Sequence, residues 1–78
     1  MTVIRTRSTH AYALVAIDRA ESTVVDGRVV PGDVLRTSLV GYAASDGPRV
    51  KARAVRLSRV GRTVRVLPIV DGTVTVPA

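Results

Sequence analysis

The stretch RVKARAVRLSRVGRTVRV, residues 49–66, decides how the chain folds. Seven of its residues are basic and none is acidic. As a strand it sets Arg49, Lys51 and Arg53 on one face, with Val50, Ala52 and Ala54 on the other. The alternation slips at Ala54-Val55 and then resumes, the one-residue shift that a β-bulge produces. A two-residue turn at Val60-Gly61 would return the chain, pairing Leu57 with Val64 and Val55 with Val66 on an apolar face. The same register sets Arg56 opposite Arg65 and Arg59 opposite Arg62. Like charges directly opposite on a sheet are unfavourable unless solvated or neutralised by a bound anion, so this register points to an anionic partner.

The competing reading is a helix. Pro48 suits a first helical turn and Gly61 a C-terminal stop. Val50, Ala54 and Leu57 then fall at i, i+4 and i+7, with Arg49, Arg53 and Arg56 gathered beside them. The hairpin match with residues 62–67 favours the strand. In both readings most of the positive charge is displayed on one compact element.

The rest of the chain reads as β. Valine is the commonest residue and threonine is frequent, and β-branched side chains fit a pleated, half-buried surface. Asp-Gly occurs at 26–27, 46–47 and 71–72, each flanked by strand formers, as two-residue hairpin turns of type I′ require. The first such turn sets Val24 opposite Val29. The third sets Val70 opposite Thr73, Ile69 opposite Val74 and Leu67 opposite Val76. Pro31-Gly32 reads as a type II turn, with positive φ at the glycine. Strands follow near 3–7, 11–17, 22–25, 28–30, 34–43, 49–58, 62–70 and 73–77. The fold class is therefore all-β: one domain over residues 1–78, a small antiparallel meander closing into an SH3-like or OB-like barrel or a tight sandwich. The alternative is α+β, with a helix at about 9–21 or 48–60. The run AYALVAI, 11–17, is apolar without clear periodicity, so a buried strand and a short buried helix compete there, and the strand is preferred.

Seventy-eight residues bury a modest core. With no cysteine and one histidine, disulfides and zinc are not expected to reinforce it, which leaves oligomerisation or an unusually regular sheet. Arg5 and Arg7 ahead of the apolar run 11–17 loosely imitate a signal peptide. The run is short, however, and Asp18, Arg19 and Glu21 follow it closely. No segment approaches the roughly 20 apolar residues of a membrane span. The expectation is a protein with no membrane association, cytoplasmic or virion-associated.

Twelve basic residues against six acidic ones give a net charge of +6, and eleven of the twelve are arginine. A GC-rich coding sequence favours arginine, but it supplies aspartate and glutamate as well, so the sign of the imbalance keeps its meaning. Excess positive charge favours nucleic acid or an acidic protein surface, and the alternative of equal standing is a solvated arginine face that serves solubility. Guanidinium groups make bidentate bonds to phosphate oxygens, and several acting together release condensed counterions. The candidate contacts are Arg49, Lys51, Arg53, Arg56, Arg59, Arg62 and Arg65. With only Tyr12 and Tyr42 as aromatics, base stacking on a single strand has little to work with, and backbone contact with a duplex fits better.

Catalysis has little support. His10 sits in STHAY beside Ser8 and Thr9, and a Ser8–His10–Asp18 arrangement can be drawn, but a surface histidine in a turn is the preferred reading. Four of the carboxylates, Asp26, Asp33, Asp46 and Asp71, occupy turn positions. No phosphate-loop glycine motif occurs, and no cofactor or metal is expected. The sequence-level reading is a non-enzymatic small basic β-barrel that binds a polyanion, most readily nucleic acid, through an arginine-rich hairpin at 49–65. The alternative is a structural or assembly protein, for example a small phage virion or accessory component, acting through β-edge and protein–protein contacts.

Overall fold

Five consecutive residues, Ala13 to Ile17, are buried, and their strand organises everything else. In the computed structural model, which describes residues 2–77, they belong to β2, Tyr12–Arg19. β2 lies between β5, Val34–Ala43, and β6, Arg62–Pro68, in a three-stranded antiparallel sheet. Both faces of this central strand are covered, which explains why its sequence shows no alternation. Ala13, Val15 and Ile17 pack with Leu67, Val74 and Val76, while Leu14 and Ala16 pack with Val50, Ala54 and Val64. The helix considered at 9–21 is thus a strand.

The first of these clusters is closed by a ribbon of β1, Thr2–Arg5, and β7, Thr73–Val76, with Ile4 opposite Val74. The Asp71-Gly72 turn forms as expected, with φ of 50° and 72° and Val70 bridged to Thr73. Beyond that bridge the strands diverge: β7 pairs with β1, and β6 pairs with β2. Leu67, Ile69, Val74 and Val76 still meet in one core cluster, although the hairpin ladder expected to join them is replaced by these longer-range pairings.

Residues 48–57 overturn the preferred reading. They form a helix, α1, Pro48–Leu57, so the strand expected at 49–58 and its bulge at Ala54-Val55 are absent. Gly47 is the N-cap, without a side-chain hydrogen bond, and Pro48 opens the first turn. Asp46-Gly47 is therefore a helix entry and not a hairpin turn. Val50 and Ala54 are buried against the sheet, worth about 3 kcal/mol together. Opposing this, Arg49–Arg53 and Arg53–Arg56 are like-charge pairs at helical spacing, each costing about 0.2–0.5 kcal/mol. Docking wins, and it also removes the unfavourable strand register: Arg56 and Arg65 are no longer opposite one another.

The bulges lie elsewhere. Between β2 and β5 the register shifts at Leu14/Val15 and at Asp18/Arg19, skipping Val40 and Leu35 of β5. The three-stranded sheet keeps β5 and β6 as edges, so the expected barrel does not close. The fold is mostly antiparallel β with one short helix. No described helix is long and apolar enough to cross a membrane.

The third pair, β3, Thr23–Val25, and β4, Arg28–Val30, forms the expected hairpin with Val24 opposite Val29 and a turn at Asp26-Gly27. Every residue from Glu21 to Pro31 is exposed. The ribbon projects from the body, and the Cα radius of gyration is 13.6 Å against about 11.5 Å for a compact chain of this length. Its base is tight. Gly32 does not take the positive φ of a type II turn, which corrects the sequence expectation. It is needed because a Cβ there would lie 2.2 Å from the Ala20 carbonyl oxygen.

Candidate polyanion interface

The seven basic residues singled out in the sequence do not form one hairpin surface. Arg49, Lys51, Arg53 and Arg56 are exposed on α1, which contains no acidic residue. With Val50 and Ala54 turned to the sheet, the helical repeat sets Arg49, Arg53 and Arg56 along one flank and Lys51 on the other. The Arg53 guanidinium approaches Gly41 of β5, where an added Cβ would stand 3.1 Å from its Nη2. Arg49 and Arg56 border two shallow depressions. One, of about 680 Å³, is lined with Ala52 and Val55; the other, of about 360 Å³, includes Tyr42 and Ala43. Among the described residues no carboxylate pairs with any of these four cations.

Arg59 and Arg62 face each other across the Val60-Gly61 turn, as the sequence register anticipated. Each backbone N–H donates to the other's carbonyl at 2.9 Å, and Gly61 has φ 82°. Their side chains differ in role. Arg59 is exposed, whereas Arg62 grips Asp18, with Nε donating to Oδ1 at 2.6 Å and Nη2 to Oδ2 at 3.1 Å. Arg36 of β5 adds a weaker contact to Asp18 at 3.7 Å. The Arg62 hydrogen bonds hold the Asp18 carboxyl below its ordinary range, and the same bonds raise the Arg62 guanidinium. This geometry commits Arg62 to the fold.

Arg65 stands apart. It pairs with Val15 and so lies on the β1–β7 side of the sheet, opposite the face that carries α1. The compact group that remains is Arg49, Arg53 and Arg56, with Lys51 on the far flank and Arg59 beyond the helix C-terminus.

Ser58 holds this group in place, and the sequence reading passed over it. Its backbone N–H caps the helix on the carbonyls of Ala54 and Val55. Its hydroxyl donates to the Ala54 carbonyl at 2.8 Å and accepts from the Val64 N–H at 3.0 Å, joining α1 to β6. A serine near a helix end is a recognisable cap signal, but its bond to β6 depends on tertiary placement that local sequence does not encode.

The Ser8–His10 contact does form: Ser8 Oγ lies 2.9 Å from His10 Nδ1, at an exposed position. The His10 ring stacks on Tyr42 at 5.6 Å, and the Tyr42 hydroxyl is 2.8 Å from Thr6 Oγ1. Asp18 is at the other end of β2, about 20 Å along the strand, bound to Arg62, and does not orient this histidine. Among the described residues no three metal-ligating side chains cluster.

No protein-family model, no curated protein and no solved structure matches this chain.

Proposed function

We propose that this chain is a non-enzymatic basic domain that binds nucleic acid through its phosphate backbone, with α1 as the contact element. The observation that carries the reading is the row Arg49, Arg53 and Arg56, exposed and, among the described residues, without carboxylate partners, on a helix free of acids. Like-charge repulsion within that row disfavours the helix in isolation, and phosphate oxygens relieve it. The row spans about 10 Å along the helix axis, and the roughly 10–12 Å diameter of a helix fits the ~12 Å width of a duplex major groove. A helix lying along the groove offers three guanidinium groups to one phosphate strand and Lys51 to the other. The contacts are to the backbone, so they position the protein without selecting sequence.

Fluorescence anisotropy with labelled duplexes of two unrelated sequences, a single strand and an RNA tests this. Three to four phosphate contacts give a log–log salt slope of about −2.7 to −3.6, hence a loss of roughly 40- to 150-fold between 50 and 200 mM salt. Replacing Arg49, Arg53 and Arg56 together by alanine should weaken binding to both duplexes alike and bring the slope down by about three. Arg65→Ala, on the opposite face of the sheet, should leave the slope unchanged. Affinity indifferent to salt, or a triple variant that binds as the parent does, overturns the assignment.

A further inference from the structure

The β3–β4 ribbon has a feature that phosphate binding does not use. Val24 and Val29, opposite one another on one face, are 72% and 71% exposed, and Val25 and Val30 on the other face are 53% and 42% exposed. Val34 and Leu35, where the chain leaves the ribbon, are 43% and 69% exposed. A free two-stranded hairpin is marginally stable in water, and one bearing valines on both faces is a poor solvated ornament. Yet this ribbon is firmly mounted. The Ala20 N–H donates to the Asp33 carbonyl at 2.9 Å, Arg19 donates to the Gly32 carbonyl at 3.2 Å, and Gly32 packs directly on the Ala20 backbone.

We propose that the ribbon is a dimerisation arm, covered by the same arm of a second copy of this chain. The area favours this occupant. The six exposures are equivalent to between three and four fully exposed aliphatic side chains, or ~350 Å² at roughly 100 Å² each. An arm exchange seats the Val24–Val29 face on the other copy's arm and the Val25–Val30 face on its Val34–Leu35 segment. That buries ~700 Å² of apolar surface from the pair. At the ~60% apolar content of protein interfaces the whole contact is about 1,200 Å², the lower end of the specific range. The contact is isologous, so one self-complementary patch closes into a two-fold dimer without leaving a free end.

The charges agree with an antiparallel seating. Asp26 and Arg28 stand near the arm tip, and Arg19, Glu21 and Asp33 stand at its base. Reversing one arm against the other brings the tip cation to the base carboxylates and the tip carboxylate to Arg19. A cleft of about 660 Å³ at the base, lined by Arg19, Glu21, Gly32 and Val60 among others, gives the opposing tip a seat. The clamped base holds the arm in one direction, which lowers the ordering cost of association.

The test is sedimentation equilibrium from micromolar to near-millimolar chain, with a cysteine probe that the cysteine-free sequence makes clean. The expected mass rises with concentration from 8.3 kDa to twice that value. Val24→Ser combined with Val29→Ser should hold the mass at the monomer value, with circular dichroism confirming that the fold persists. If that variant fails to fold, the cysteine probe decides alone: under mild oxidation Val24→Cys should cross-link at least tenfold faster than Val55→Cys, a 73% exposed position on α1. The variant lacking Arg49, Arg53 and Arg56 should still dimerise, which separates this inference from the nucleic-acid reading. A chain that stays monomeric throughout, a dimer indifferent to the serine pair, or equal cross-linking at both cysteines overturns it.

Discussion

Gly32→Ala isolates one contact that mounts the arm on the body. The added Cβ would lie 2.2 Å from the Ala20 oxygen, 2.6 Å from the Ala20 carbonyl carbon and 2.7 Å from the Glu21 oxygen. All three are backbone atoms, so no side-chain rotation relieves the overlap. The two segments must separate by about 1 Å to reach ordinary contact. Hydrogen bonds at 2.9 and 3.2 Å between the same segments do not survive such a shift. Their loss costs about 0.5–1.5 kcal/mol each, and the stiffer unfolded chain of an alanine variant returns about 0.4–1 kcal/mol. The net destabilisation is about 1–2 kcal/mol, or roughly 5–15 °C in Tm for a domain of this size.

Gly27→Ala is the matched control. Gly27 has φ 75° and open space around its Cα, so its penalty is conformational, of the order of 1 kcal/mol, and confined to the turn. Urea unfolding gives the global difference, and amide exchange locates it. In Gly32→Ala the Ala20 amide should lose about tenfold or more in protection, whereas in Gly27→Ala it should keep its protection. The reasoning fails if Gly32→Ala matches the parent in both stability and Ala20 exchange, because the close approach would then not exist in solution.

Two more expectations follow from the helix-bearing face. Asp18 has a folded-state pKa depressed chiefly by its hydrogen bonds to Arg62, so its contribution is complete above the ordinary carboxylate pKa of about 4 and disappears as pH falls through the lower folded value. Asp18→Asn should therefore flatten the acid limb of a Tm–pH profile below about pH 4, and an unchanged limb refutes this assignment. Ser58→Ala strips the Val64 N–H of its acceptor and should cost about 1–3 kcal/mol in denaturant unfolding; a cost below a few tenths counts against the α1–β6 bond.

Local chemistry carried much of the fold. The Asp-Gly turns at 26–27 and 71–72, the bridge between Arg59 and Arg62, and the strand 34–43 all follow from residues within a few positions of one another. Other features did not. β1 joins β7 across nearly the whole chain, and β2 joins β6 from Tyr12–Pro68 to Asp18–Arg62; neither pairing has a local signature. Because β2 takes β6 as its partner, residues 49–58 are not required as a strand, and the helical spacing of Val50 and Ala54 decides their state. Gly32 was read through backbone φ when its constraint is the carbonyl packed against it. The basic group was legible as residue types but not as a surface, since the fold sends Arg65 to the other face and engages Arg62 with Asp18.

This redistribution changes what the positive charge can be asked to explain. The strand register implied repulsion strong enough to call for an anion, and the helix relieves most of it without any ligand. What remains is a separation of charge along the molecule. No acid occurs between Pro48 and Val66, whereas Glu21, Asp26 and Asp33 fall in or beside the projecting ribbon, with Arg28 as its one basic residue. In the field of a polyanion, such a molecule turns its helix toward the phosphates and its arm away from them. The proposed binding surface is then on α1 and the proposed pairing surface on the β3–β4 ribbon. The proposed pairing through the arm would bring two basic helices into one particle and roughly double the number of phosphates within their reach. A site of three or four contacts is weak at physiological salt. Two such sites, linked through a rigid mount, gain affinity from effective concentration wherever a single duplex can engage both.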